Sequence, residues 1–226
     1  MIKMNERIRR LRDQSIAAEP VISMERASLV TRFYAGGEAE KHPVPVARAL
    51  AFKYILDNKV LCINPGELIV GERGPEPKAT PTYPEICTHT QKDLEVLDTR
   101  EKIRFSVADE AKKIQEKEVA PFWEGRSIRD RLFEELSDEW KEAYSAGIFT
   151  EFQEQRAPGH TVLDDKIYRK GFADLHEEIE ASVASLDMKN DQESMEKRDE
   201  LMAMDIAAEA LTGFAGRYSE PVSYTH

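Results

Sequence analysis

The sequence predicts a mainly helical fold, and three observations carry that prediction. Apolar residues recur at spacings of three and four through most of the chain. Asn, Ser, Pro and Gly stand where such stretches begin and end. Only one short apolar run, Glu67–Gly71, has the composition of a strand.

Asn5 can cap a first helix that runs to about Ala18, before Pro20. Ser23 can cap a second, with Ala27, Val30, Phe33 and Tyr34 on one face and Gly36-Gly37 as its stop. A third helix starts near Pro45 and runs to about Asn58; it is apolar on most sides, so it is expected to be buried. Glu67–Gly71 reads as a strand. The run Gly74–Pro84 holds Pro75, Pro77, Pro81 and Pro84, which excludes a helix, and its length suits a functional loop. Helical patterns resume over Gln91–Thr99 and from Val107 to about Ala120, with Pro121-Phe122-Trp123 and Gly125 as breaks. Shorter helices are expected near Ser127–Leu136 and, with Ser137 as cap, over Asp138–Ala146. Two long amphipathic helices follow. One carries Phe172, Leu175, Ile179, Val183 and Leu186; the other carries Leu201, Met204, Ala208, Leu211 and Ala215. Asn190-Asp191 marks the turn between them, which predicts an antiparallel pair, and Pro221–His226 is expected to break the last helix.

A chain of 226 residues is long enough for one or two domains with a real core. Its formal net charge of −11 excludes a nucleic-acid binder, which needs a basic face, and disfavours an anionic membrane surface. Arg7, Arg9, Arg10 and Arg12 are diluted by Glu6 and Asp13, so they read as a solvated helix face. No apolar run is long enough to span a bilayer, and the charged N-terminus shows no secretory signal. Two cysteines, Cys62 and Cys87, do not make a disulfide framework; a reducing cytoplasm fits best.

The segment Phe149–Thr161 concentrates the chemistry. It sets Phe149, Phe152, Glu151, Glu154, Arg156 and His160 around the turn Pro158-Gly159. Rings that exclude water beside polar heads that orient a ligand make a pocket wall. The plainer alternative is a structural turn in which Arg156 pairs with Glu151 or Glu154. His160 is the best acid–base candidate, because imidazole titrates near neutrality. Asp164 and Asp165 can orient its ring or cap the following helix. Cys87 and His89, two apart, lack the second ligand pair a zinc site needs, so a buried structural cysteine is the better reading. Cys62 looks like core, His42 and His176 look exposed, and Met202 and Met204 are expected in the helix core. Neither a P-loop nor a G-x-S-x-G elbow is present.

Four stretches carry a resemblance. They are Ile22–Ala27, Ile63–Glu72, Pro81–Ile86 and Phe149–Thr161. In this order they resemble the N-terminal part of glycyl radical enzymes of the pyruvate formate-lyase-like group, which includes glycerol, choline and hydroxyproline eliminases. The likeness runs from about Asn5 to Ser219. Within the group it is greatest to the hydroxyproline-dehydrating branch, on Ala79–Cys87 and Phe149–Val162.

The resemblance implies the N-terminal helical part of a ten-stranded α/β barrel, with residues 1–220 in the family domain and 221–226 a departing tail. It implies radical carbon–oxygen cleavage, with formate C-acetyltransferase-like or glycerol and diol dehydratase chemistry as alternatives. It places Phe152 and His160 against substrate: Phe152 packs on its ring, and His160 hydrogen-bonds its polar groups and acts as the catalytic residue of this part. Glu151, Gln155 and Arg156 support them from behind. It implies no directly bound cofactor or metal. A glycyl radical is installed elsewhere in the protein by an activating enzyme that uses S-adenosylmethionine and a [4Fe-4S] cluster, and the full-length protein is expected to be an anaerobic, cytoplasmic homodimer. The radical glycine, the thiyl cysteine and the catalytic glutamate of the family have no match here, and Cys62 and Cys87 do not fit the cysteine motif. The expectation is therefore a truncated coding sequence, inert by itself, whose helices expose apolar stripes. A non-catalytic helical interaction module is the alternative from another class.

Overall fold

The computed structural model describes residues 5–67, 70–148, 164–186 and 191–223. Helix α1 (Glu6–Ala17) starts where expected: the Asn5 side chain accepts the Ile8 amide at 2.8 Å. No residue of α1 is buried, and Arg10 Nη2 ties it to the Pro65 carbonyl at 3.1 Å. Strand β1 (Val21–Ser23) leads into α2 (Glu25–Ala35), and α3 (Val44–Asn58) follows. Strand β2 (Ala79–Pro81) pairs parallel with β1, in the register Val21↔Ala79, Ile22↔Thr80 and Ser23↔Pro81. Ser106 bridges the other edge of β1: its carbonyl accepts from Ile22 at 2.9 Å and its amide donates to Pro20 at 2.8 Å. Thus β1 is the middle of a small parallel patch.

Helix α4 (Gln91–Thr99) opens with a reciprocal capping box between Thr90 and Asp93. Next come α5 (Asp109–Ile114), a π-helical turn (Gln115–Val119) and α6 (Ala120–Trp123), which form one continuous rod. Pro121 does not break it. The wide turn bonds the Ala120 amide to the Gln115 carbonyl, and Pro121 sits at the start of the next helical turn, where its missing N–H costs little. The rod ends at Gly125, at φ 70°. Then follow α7 (Ile128–Glu135), capped by Ser127 Oγ on the Asp130 amide at 3.1 Å, and α8 (Asp138–Ser145). A 3-10 turn (Asp164–Tyr168), α9 (Phe172–Ala184) and α10 (Gln192–Ser223) complete the described chain.

The main core lies where β1, α2, α4 and the α5–α6 rod converge. Leu94 and Val119 are completely buried there, and Trp123 donates its indole N–H to Thr31 Oγ1 at 2.9 Å. A buried indole needs such a partner. Helix α3 is wedged between α2 and α10, which explains why it is apolar on most sides. Its first residues and those near 200 on α10 border one groove, and Arg217 donates to the carbonyls of Leu56 and Lys59 at its far end. The two helices therefore run parallel. Helix α9 lies antiparallel to α10, since His176 meets Asp205 while Ser182 and Leu186 adjoin Gln192 and Glu196.

Several expectations are corrected. Glu67, Val70 and Gly71 are irregular backbone, with Leu68 and Ile69 outside the described residues, and the strands lie at 21–23 and 79–81 instead. Ser23 belongs to β1, and Met24 is the N-cap of α2. The buried residues of α10 include Ala208, as expected, and Ala203, Ala210 and Tyr218; Met202 and Met204 are exposed, because small alanines let α10 approach closely while the longer side chains turn outward. The helix also passes Pro221 and ends at Ser223, since a proline so near the terminus removes only the last backbone bonds. His176 is half-buried against Asp205 rather than exposed, and His42 meets Glu38 at 3.3 Å.

Candidate functional site

A polar junction lies at the carboxyl ends of β1 and β2. Ser23 and Pro81 end the paired strands, and just beyond them Arg26 on α2 faces the turn Thr82–Glu85. The guanidinium of Arg26 grips the Glu85 carboxylate with two nitrogens, one of them at 3.1 Å to Oε2. It also donates to the Thr82 carbonyl at 3.3 Å and lies 4.1 Å from the Tyr83 ring centroid. A bidentate, half-buried and stacked arginine fixes a turn more firmly than a surface ion pair.

The turn holds the next element in its place. The carbonyls of Glu85 and Ile86 accept the Ile128 and Arg129 amides, both at 3.0 Å, which anchors the start of α7. Arg129 Nη2 then donates to the Tyr144 hydroxyl on α8 at 2.8 Å, and its guanidinium lies 4.8 Å from the Phe133 ring and 5.4 Å from the Tyr144 ring. A continuous polar line thus runs from β1 to α8, the helix that precedes the segment 149–163.

Two cavities flank the junction. One, of about 340 Å³, lies over α3 between Arg26, Phe52, Lys59, Arg73 and Tyr83. The other is a groove of about 830 Å³ along Ile86, Cys87, His89, Arg100, Arg129 and Tyr144. Burial pushes the His89 imidazole below its usual range, outweighing Asp93, so it stays neutral near pH 7; its backbone carbonyl accepts Gln115 Nε2 at 2.7 Å. Cys87 is half-buried on this groove rather than in the core. Cys62 is buried, and burial together with the carboxylates of Glu72, Glu67 and Glu76 pushes its thiol up. A thiol held protonated is a poor nucleophile. Among the described residues no group of three His, Cys, Asp or Glu is placed to hold a metal ion, and no helix is long and apolar enough to cross a membrane.

The residues singled out for substrate contact, Phe152 and His160, lie outside the described residues, as do Glu151, Gln155 and Arg156. Asp165 pairs with Arg169 at 2.5 Å, and α9 begins at Gly171, whose amide donates to Asp174 at 2.7 Å. Sequence reasoning missed the Arg26–Glu85 and Arg129–Tyr144 links. The signal was available for the first: Arg26 falls in the stretch Ile22–Ala27 and Glu85 in Pro81–Ile86.

The chain thus combines a helical scaffold with a small parallel strand patch and a polar junction at the strands' carboxyl ends. Residues 4–224 match the family model described as pyruvate formate lyase-like, so the chain belongs to that family. It is 52% identical over 215 residues to trans-4-hydroxy-L-proline dehydratase of Clostridioides difficile, an alignment covering 95% of this chain and 27% of that protein. The crystal structure of hydroxyproline dehydratase from the same organism, with trans-4-hydroxy-L-proline bound, superimposes with a TM-score of 0.88 at 51% identity, covering 97% of this chain and 28% of that one. The B12-independent glycerol dehydratase of Clostridium butyricum superimposes with a TM-score of 0.85 at 28% identity, covering 97% and 28%. A glycyl radical enzyme of Archaeoglobus fulgidus gives 0.84 at 28% identity, again covering 97% and 28%. The chain thus spans about a quarter of the length of these relatives. The expected fold class, a mainly helical N-terminal part of a glycyl radical enzyme barrel, is the one these superpositions give.

Proposed function

We propose that this chain is the N-terminal part of a glycyl radical lyase that dehydrates trans-4-hydroxy-L-proline by radical carbon–oxygen cleavage. One observation carries the reading: identity to the hydroxyproline dehydratase is 52%, against 28% to the glycerol dehydratase over a similar span. A radical glycine and a cysteine outside this sequence, activated by a partner enzyme with S-adenosylmethionine and a [4Fe-4S] cluster, supply hydrogen abstraction in an anaerobic cytoplasm. The residues of this chain bind and orient. Phe152 packs against the pyrrolidine ring and keeps water from it. His160 hydrogen-bonds the substrate's polar groups and, as imidazolium, stabilises the departing hydroxyl. Glu151, Gln155 and Arg156 hold those two in place through hydrogen bonds. Arg26, Glu85 and Arg129 fix α8, from which this segment departs. The full-length protein is proposed to act as a homodimer.

The test is anaerobic assay of the activated full-length protein. Trans-4-hydroxy-L-proline should lose one water per turnover, and His160→Gln should lower kcat by about 10²–10⁴-fold, the range of a lost acid–base group. Turnover of glycerol without turnover of hydroxyproline would instead support a diol dehydratase, the reading that the TM-score of 0.85 to the glycerol enzyme favours next.

A further inference from the structure

The cavity over α3 has features that the dehydratase reading does not use. It lies at the carboxyl ends of a parallel strand pair, the side on which open parallel sheets bind ligands. Its volume of about 340 Å³ suits a small molecule. One wall is apolar, made by Phe52, Ile55 and Leu56 of α3, and Phe52 is 38% exposed toward solvent.

The rest of the lining carries three cations, Arg26, Lys59 and Arg73, beside one carboxylate, Glu25, in a chain whose net charge is −11. Each charge there can be assigned. Arg26 is neutralised by Glu85. The carboxylate of Glu25 sits in the first turn of α2 and accepts the Val60 amide at 2.6 Å. The carbonyls at the end of α3, which would repel an anion, are covered by the Arg217 guanidinium on Leu56 and Lys59. That leaves Lys59 and Arg73. Lys59 Nζ donates one bond, to the Arg73 carbonyl at 3.1 Å, and lies 5.3 Å from the Phe214 ring centroid; among the described residues neither Lys59 nor Arg73 forms an ion pair. Burial depresses the Lys59 ammonium below its usual range, more than Glu25 restores it. A half-buried cation in that condition gains from any anion placed beside it.

We propose that this cavity binds a small organic carboxylate, its charged end on Lys59 and Arg73 and its apolar body on Phe52, Ile55 and Leu56. Inorganic phosphate shares the charge but has no apolar part to bury, so it fits one half of the site only.

The inference is tested by heteronuclear NMR titration of the 226-residue chain with sodium butyrate and with butanamide, which share a shape and differ in charge. Butyrate should bind saturably, with shifts at residues 52–59, 73 and 81–83, and about ten-fold more tightly than butanamide, the worth of one charge-assisted hydrogen bond. Lys59→Met and Arg73→Gln should each narrow the gap between the two ligands, and Phe52→Ala should weaken both alike. Phosphate should displace butyrate poorly. Equal affinity for butyrate and butanamide, an unchanged preference in Lys59→Met, absence of saturable shifts, or displacement by phosphate as effective as by butyrate itself would each overturn the proposal. None of these outcomes depends on hydroxyproline turnover.

Discussion

Around β1, Ala27, Leu94 and Val119 are 0% exposed, Trp123 satisfies its indole N–H inside the protein, and three backbone segments are laid side by side. On α9 and α10 the picture is different. Ile179 is the one buried residue of α9, and Val183, Met202 and Met204 present apolar surface to solvent. The first region closes its own core; the second is held by α3, the His176–Asp205 pair and the Arg217 bonds. The second half buries alanines and Tyr218 of α10 but leaves larger apolar side chains in water, and those exposed side chains add little to the folding of this chain.

The contrast is broken most directly by truncating one side chain from each region. Leu94→Ala should lower the unfolding free energy by about 2–5 kcal/mol, because a completely buried leucine leaves a cavity. Met204→Ala, at an exposed position, should change it by less than about 0.5 kcal/mol. Urea denaturation of both variants decides, and comparable costs would mean that Met204 is packed as Leu94 is rather than exposed.

A smaller effect sharpens the role of the strand junction. Arg26→Ala and Glu85→Ala should each cost about 1–3 kcal/mol, since each leaves a half-buried charged partner unpaired. Their double-mutant cycle should show a coupling of about 0.5–3 kcal/mol. A coupling near zero would remove the pair as the link between α2 and the turn that anchors α7.

Much of the helical architecture was legible in the residues. Asn5 and Ser127 have side-chain acceptors that start helices, and the all-round apolar character of α3 correctly implied burial. The strands were not legible. Three residues are too few for an alternating pattern, and the pairing of β1 with β2 joins positions 58 apart, as the contact from Met24 to Thr82 also does. Glu67–Gly71 looked more like a strand because it is apolar, yet its described residues, Glu67, Val70 and Gly71, are irregular backbone. On α10, Ala208 of the expected stripe is buried, but Met204 is exposed and Ala203 and Ala210 are buried on another face, so size misled in part: the smaller side chains mark the closer packing. Of the candidate site, the polar line from Arg26 to Tyr144 emerged only in three dimensions, since its members come from four separate elements.

The weakest link in the contrast should respond to pH. His176 Nδ1 meets Asp205 across α9 and α10, and that hydrogen bond, with further attraction from Asp205, Glu180 and Glu209, raises the imidazole above its usual pKa. A raised folded value means that the contribution is complete below the unfolded value of about 6.5 and disappears as pH rises through the higher folded one. Hydrogen exchange on α9 should therefore quicken, beyond its intrinsic pH dependence, on the alkaline side of that window. His176→Gln should abolish the step; an identical profile in the variant would assign the docking of α9 to Ile179 alone.

Arg217 reaches back 161 positions to close the end of α3. During synthesis at about 5–20 residues per second, α3 would leave the ribosome roughly 10–30 s before its covering helix exists. For that interval its alanine-rich, oily flank is on display to any chaperone or sticky neighbour. A ribosome stalled anywhere short of residue 217 leaves that flank without its clasp, so the yield of intact protein in a cell should depend as much on uninterrupted translation as on the strength of the finished fold.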